Sequence, residues 1–411
     1  MPDPLHPERG VSRGLVLLMA VACGAAAANL YYAQPLLHTL GEAFDVSAAQ
    51  AGLIVTVSQV GYVAGLALLV PVGDLRERRG LISGTLLVTA AALVAAAAAP
   101  GYGVFVAALA VVGFTSVVAQ VIVPMSSSLS AESERGAVVG TVMSGLLIGV
   151  LLARTVSGLI AAALGWRAVF VFGAIAMLAL AATLRRALPR VPPTTDLAYG
   201  GLLRSVFALV ATEPVLRQRM ALGGLSFGCF SVLWTSLAFL LAGAPFHYGN
   251  AIIGLFGLAG VAGAAAASVA GRLADRGHGA RTSTAAILVL LASWGVLAIG
   301  RTSVIGLLAG IALLDLGVQG LHISNQSAIY ALHPEARSRL TTAYMVSYFI
   351  GASVLSAVTS ALYASDGWSG VCVLGSATAA LTLAVWVMSS LALRGRLRRS
   401  RLAPATDSVG D

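Results

Sequence analysis

Lysine is missing from this chain, and charge of either sign is scarce. All 25 basic residues are arginine, 16 residues are acidic, and charged side chains make up 10% of the whole. Without lysine no Walker-type glycine–lysine loop can form, which excludes nucleotide hydrolysis by this chain as an energy source. Cysteine is limited to Cys23, Cys229 and Cys372. An odd set, each inside an apolar run, offers neither a disulfide framework nor the paired spacings of a zinc site. The three read as small apolar packers. The 6 histidines form no H-x-x-x-H pair, and the one G-x-S-x-G match, Gly224 to Gly228, lies inside an apolar run and not at the strand-to-helix turn that a nucleophile elbow needs, so neither a metal nor a serine hydrolase is indicated. No enzymatic activity, metal or cofactor is expected.

What fills the chain is apolar. Of its 411 residues 58% are hydrophobic, and the mean hydropathy is +0.91. A soluble domain carries about 25% charged residues, so a water-soluble globule does not fit. Apolar runs fall at about 13–36, 48–72, 80–99, 103–128, 137–163 and 168–188. A second set follows at about 218–242, 251–271, 282–300, 302–328, 340–363 and 369–393. Each approaches or exceeds the ~17 residues needed to cross a bilayer as a helix. Their abundant glycine and alanine would weaken a soluble helix, but in lipid small residues let helices approach closely. The expectation is an all-α polytopic membrane protein of 12 transmembrane helices.

Charge sets the topology. Arg154 lies inside a span, and Arg167 and Arg301 lie on loops of one face; the other 22 arginines gather on the opposite face. Basic loops stay on the cytoplasmic side, so both termini are expected there, in the cell inner (plasma) membrane. Such interleaving of short basic clusters with apolar runs argues against nucleic acid as a partner, despite a net charge of +9. Arg9 and Arg13 before an apolar run also resemble a signal peptide. Its removal would put the next basic loop on the wrong side, so the first run is read as a retained span.

The chain divides into a lobe of six helices (1–188), a cytoplasmic linker rich in proline and polar residues (189–217), a second lobe of six (218–393) and a cytoplasmic tail (394–411). Within the linker, Leu202 to Val210 has the makings of a short surface helix. Three marks recur between the lobes. Gly73-Asp74-Leu75-Arg76-Glu77-Arg78 is echoed 198 residues later by Gly271-Arg272-Leu273-Ala274-Asp275-Arg276. Arg135 returns as Arg337, and Gly165-Trp166 as Gly367-Trp368, both at an offset of 202. Two homologous six-span bundles related by an axis along the membrane normal are a transporter architecture.

On these residues the chain resembles the major facilitator superfamily over nearly its whole length. The loop after the second span is similar to that family's G-x-L-a-D-R signature, with Glu77 where the family has aspartate; the second copy matches throughout. Asn29 to Pro35 and Ala153-Arg154-Thr155 resemble bacterial arabinose-efflux-like exporters. The resemblance implies two pseudo-symmetric six-helix bundles, alternating access, and a functional monomer. It also implies a conformational latch formed by Gly73, Glu77 and Arg78 with Gly271, Asp275 and Arg276, whose charged contacts would hold one side shut. The family's fifth-span Gly-Pro step, fourth-span arginine and first-span acid are missing here.

An ionisable side chain at mid-membrane costs roughly 2.5–3.5 kcal/mol on insertion scales and marks function by default. Arg154 sits ~25 Å into the fifth span and Asp315 ~20 Å into the tenth, at 1.5 Å per residue. Asp315, Gln319 and His322 share one helix face. Asp315 is a candidate proton carrier; the competing reading makes Arg154 and Asp315 static partners of each other or of backbone carbonyls. Asn29, Gln34, Gln120 and Asn325 are further polar candidates for a substrate cavity, and Gln59 joins them. Tyr31 and Tyr32 are read at the outer end of the first span, in the interfacial aromatic belt. Trp234 and Phe227 suit a cavity wall or plain packing. The function expected is proton-coupled export of a small organic compound, drug-like, sugar or metabolite, with the proton gradient as driving force and lipid, protons and substrate as partners. Proton-coupled uptake of a polar nutrient is the alternative.

Overall fold

The computed structural model describes residues 11–192, 199–261, 263, 273, 278–333 and 336–402, with side chains up to residue 391. The helices are α1 (Arg13–Ala28), α2 (Leu37–Phe44), α3 (Ala48–Leu68), α4 (Val72–Leu75), α5 (Arg78–Ala97), α6 (Tyr102–Thr115), α7 (Val118–Leu129), α8 (Arg135–Leu164) and α9 (Trp166–Ala187). Within the linker lies α10 (Tyr199–Thr212), followed by α11 (Pro214–Ala242), α12 (Asn250–Leu255), α13 (Gly279–Ile299) and α14 (Val304–Tyr330). The last helical stretch, Arg337–Leu402, breaks at Gly367 (φ 59°, ψ −148°) into α15 (337–366) and α16 (368–402).

Hydrophobic length explains most of this directly. Among the described residues nine helical segments are long and apolar enough to cross a membrane, one of them continuing through the break at Gly367. The shorter α1 and α12 complete the expected order of spans, since α12 continues through a 3-10 turn (Phe256–Gly260) toward residues outside the described set. Starts are marked by polar caps. Ser47 and Gln50 close a reciprocal capping box on α3, and Ser303 caps α14. Pro214 opens α11, where a missing N–H costs nothing. The Gly-Trp repeat is structural: Gly165 (φ 85°) and Gly367 both turn the chain between consecutive spans through left-handed backbone that favours glycine. Trp166 and Trp368 follow, each 7% exposed.

The first span departs from expectation. Its helix stops at Ala28 and resumes at Leu37, with a turn and a 3-10 segment (Gln34–Leu36) between, so the apolar stretch extends to Phe44 instead of ending near residue 36. Pro35 supplies the cause. It cannot donate to the Tyr31 carbonyl, which takes the Gln34 N–H at 3.2 Å instead, and Leu30, Tyr31 and Leu36 likewise bond three residues back. Tyr31 and Tyr32 therefore lie near mid-span and are buried, not in an interfacial belt. Ordered backbone outside a regular helix is tolerated at membrane depth only where protein or water satisfies it. Here Ser157 of α8 donates to the Tyr32 carbonyl at 2.6 Å.

Helices before residue 188 pack chiefly on one another, through pairs such as α1 with α8 and α5 with α9. Those after 213 do the same, with α11 against α15–α16 and α13 against α14. Among the described residues the halves join chiefly through α3 with α15–α16 and α8 with α12, and to a lesser extent through α11 with α2 and α3. The contact of α8 with α12 rests on two glycines. A β-carbon on Gly254 would stand 2.5 Å from the Arg154 carbonyl oxygen, and one on Gly158 would collide with the Asn250 carbonyl. Small residues thus bring backbone against backbone across the seam.

Candidate functional site

Four side-chain hydrogen bonds cross the seam among the described residues. Thr39 donates to Asn250 Oδ1 at 2.9 Å, Thr56 to Ser356 at 3.1 Å, Gln59 Nε2 to Ser231 at 2.9 Å, and Thr155 to the Gly254 carbonyl at 3.0 Å. Ser356 also bonds Thr235 at 2.9 Å. The bonds of Thr39, Thr56 and Thr155 lie on the arginine-poor side of Arg154 and that of Gln59 lies near its level, so that end is closed. On the other side the halves meet through the Tyr62 and Phe349 rings, 4.3 Å apart.

At the inner edge of this closed zone sits Arg154, 3% exposed. Its Nε donates to Gln34 Oε1 at 2.8 Å and its Nη1 to the Val150 carbonyl at 3.4 Å. Aromatic faces surround the guanidinium: Trp234 at 3.9 Å, Tyr31 at 4.7 Å and Phe230 at 5.3 Å from the ring centroids. Such cation–π contacts are worth ~2 kcal/mol or more when desolvated. They offset part of the cost of holding a cation here. Both flanking segments are irregular, the break in the first span supplying Gln34 and Tyr31, and the 3-10 turn after α12 running alongside. Gly257 of that turn faces Arg154, and Gly260 faces Asp315.

Asp315, 6% exposed, comes from α14 on the other side of the turn. Arg154 and Asp315 act on each other electrostatically. They do not form an ion pair, since no nitrogen–oxygen approach reaches 4.0 Å. Arg154 Nη2, Asp315 Oδ1 and the Trp234 indole nitrogen are all buried without a hydrogen-bond partner. A pocket lined by Gln34, Pro35, Arg154, Trp234, Leu237, Ala238 and Ile253 lies against Arg154 and Trp234, with room for about one water.

The remaining sequence candidates do not gather in one place. Gln319 packs beside Asp315 toward Gly263, on the face shared by the two. His322 turns to the next helix: its Nδ1 lies 3.1 Å from the Tyr344 hydroxyl, and its ring packs on Tyr348 at 4.8 Å. Asn325 donates to Tyr344 at 3.4 Å and accepts from Arg219 at 3.1 Å. Gln120 reaches the Tyr62 hydroxyl at 3.5 Å. Asn29 is directed away from the charges and donates to Met177 Sδ at 3.4 Å. Phe227 stacks on Tyr348 at 4.0 Å, and Trp234 forms the wall beneath Arg154.

At the expected latch, Gly73 and Arg78 meet, the Arg78 Nε donating to the Gly73 carbonyl at 3.0 Å. Arg78 pairs with Asp74 at 3.0 Å, while Glu77 accepts the Arg79 and Gly80 N–H groups at 3.0 and 2.9 Å and so caps α5. Gly271, Asp275 and Arg276 lie outside the described residues. Two residues escaped the sequence reading. Asp74 stands four residues before Arg78, a spacing that signals an i,i+4 pair. Arg219, grouped above with the loop arginines, is 9% exposed inside α11, bonded to Ser283 at 3.1 Å and Asn325, with Trp386 beneath it at 5.0 Å. Its span begins at Pro214, four residues earlier than hydropathy suggested, because charged side chains with apolar stems satisfied by neighbouring helices do not end a helix.

An apolar all-helical fold of two joined halves, with opposite charges buried where they meet, defines a multi-pass membrane transporter. The chain belongs to the Major Facilitator Superfamily, whose family model matches residues 17–331. It is 48% identical over 380 residues to the transporter YgaY of Escherichia coli O157:H7, covering 92% of this chain and 96% of that protein. It is 28% identical over 303 residues to a chloramphenicol resistance protein of Streptomyces lividans, covering 68% and 71% of the two chains. Among solved structures, a bacterial homolog of the human lysosomal transporter Spinster, inward-facing and occupied, superposes with a TM-score of 0.74 at 12% identity, over 95% of this chain and 97% of that one. That likeness concerns the fold.

Proposed function

We infer that this transporter exports small organic compounds across the cell inner membrane in exchange for protons, working as a monomer by alternating access with both termini cytoplasmic. The carrying observation is Asp315, a buried carboxylate at the seam between the halves that faces a cation without being neutralised by it. Such a group takes up or releases a proton as its surroundings change with the position of the halves. The closed end supports reversibility. Four seam hydrogen bonds at an average of about 0.6 kcal/mol each in lipid amount to only ~2 kcal/mol, small enough for ligand binding to overcome. The likeness to a chloramphenicol resistance protein favours the export direction.

The test uses inverted membrane vesicles with an acidic lumen and a panel of candidate substrates. Substrate should accumulate in the lumen as protons leave, and Asp315→Asn should abolish that gradient-driven accumulation while retaining exchange between labelled and unlabelled substrate. Unimpaired gradient-driven accumulation in Asp315→Asn refutes the carrier role. Movement only out of the lumen refutes export and favours uptake.

A further inference from the structure

The two buried charges are unfinished in complementary ways. Arg154 has spent Nε and Nη1 on protein acceptors, but Nη2 has no partner; on the facing side Asp315 Oδ1 has none either. In a water-poor interior a polar atom left unpaired is costly. The pair could cancel this by closing to a salt bridge, yet the 3-10 turn carrying Gly257 and Gly260 packs against both side chains and the gap stays wider than 4.0 Å. The Trp234 indole N–H, also without a partner, faces Asp315 from the same gap.

We propose that Arg154 and Asp315 are the two poles of a binding site for a small zwitterion of the amino-acid type, its carboxylate on Arg154 Nη2 and its ammonium on Asp315. This rests on the transport reading above and names the substrate class for it. A simple cation would leave Nη2 unpaired and face the guanidinium; a simple anion would do the same to Asp315; a neutral apolar compound would satisfy neither. Only a ligand carrying both charges close together completes both groups. Pro35, Leu237, Ala238 and Ile253 line the space beside Arg154, which therefore suits an apolar side chain. That space holds about one water as it stands, so the ligand is admitted when the seam bonds open. An ammonium on Asp315 occupies the place of a proton, and exchange follows because the two cannot share the carboxylate.

Binding is measured by titration calorimetry on the purified full chain in lipid nanodiscs, without a pH gradient. The probes are L-phenylalanine, phenethylamine (no carboxylate), 3-phenylpropionate (no ammonium) and chloramphenicol (no charge). L-Phenylalanine should bind at least tenfold more tightly than any of the others. Asp315→Asn should weaken L-phenylalanine and phenethylamine at least tenfold and leave 3-phenylpropionate unchanged; Arg154→Gln should do the reverse. The wild-type ranking needs no variant to fold. Equal binding of the four probes, preference for chloramphenicol, or no binding at all overturns the proposal. L-Phenylalanine selectivity without gradient-driven flux in vesicles leaves the zwitterion site standing and removes proton exchange alone.

Discussion

Gly254 offers the sharpest test of how the closed end is held. Replacing it with alanine places a β-carbon 2.5 Å from the Arg154 carbonyl oxygen and 3.1 Å from Gly158 Cα, where ordinary contact begins at 3.4 Å. The obstacle is backbone, which no rotamer change relieves, so α8 and α12 must part by roughly 0.9 Å, an overpacking that costs about 1–3 kcal/mol. The penalty falls on the closed state alone, because the contact disappears when the halves separate at this end. An energy of that size shifts the open-to-closed ratio about 5–150-fold. A cysteine at Ala238, a buried residue of the adjoining pocket, reports opening through its rate of modification by a membrane-impermeant thiol reagent added on the arginine-poor side. The native cysteines are buried and give a low background. The control is Gly249→Ala, since a β-carbon there meets nothing within 4 Å. Modification of Gly254→Ala no faster than wild type, or no faster than the Gly249 control, would show that this glycine contact does not hold the seam.

Two stability changes follow from contacts that the charge pattern alone does not separate. Glu77→Ala removes the cap from two N–H groups at the start of α5 and should cost ~1 kcal/mol, read as a lowered Tm in detergent; an unchanged Tm refutes the capping role. Arg219→Met leaves Asn325 Oδ1 without its buried donor, as well as removing the bond to Ser283, and should lower stability by ~1–3 kcal/mol. If Arg219 were an ordinary loop arginine, the same substitution would leave the Tm where it was.

The spans were readable because a bilayer imposes a length on apolar runs irrespective of what they pack against. Arg167 and Arg301 could be separated from the other loop arginines for a similar reason, since charge is retained on one side by a rule that ignores tertiary contacts. The Gly165 and Gly367 turns were visible as a repeat before their left-handed backbone was known. Arg154 and Asp315 stood out because burying either is expensive wherever it points. Each of these signals is carried by a residue or a short segment acting alone.

Pairings across long stretches of chain carry no such local mark. Gln34 meets Arg154 from 120 residues away, and Thr155 meets the Gly254 carbonyl from 99. Pro35 was plain in the sequence, but that it would break the first span and bring Tyr31 beneath a guanidinium depended on α8 being there to accept both. The same holds for Asn29, which polarity nominated for the cavity and packing sent to Met177, and for Arg219, which hydropathy left in a loop and three neighbouring helices drew into the bundle. Composition and spacing could decide which groups are costly to bury in lipid. Where their partners come from is decided when the two halves close on each other, because hydrogen bonds and cation–π contacts act over a few ångströms and are blind to chain separation.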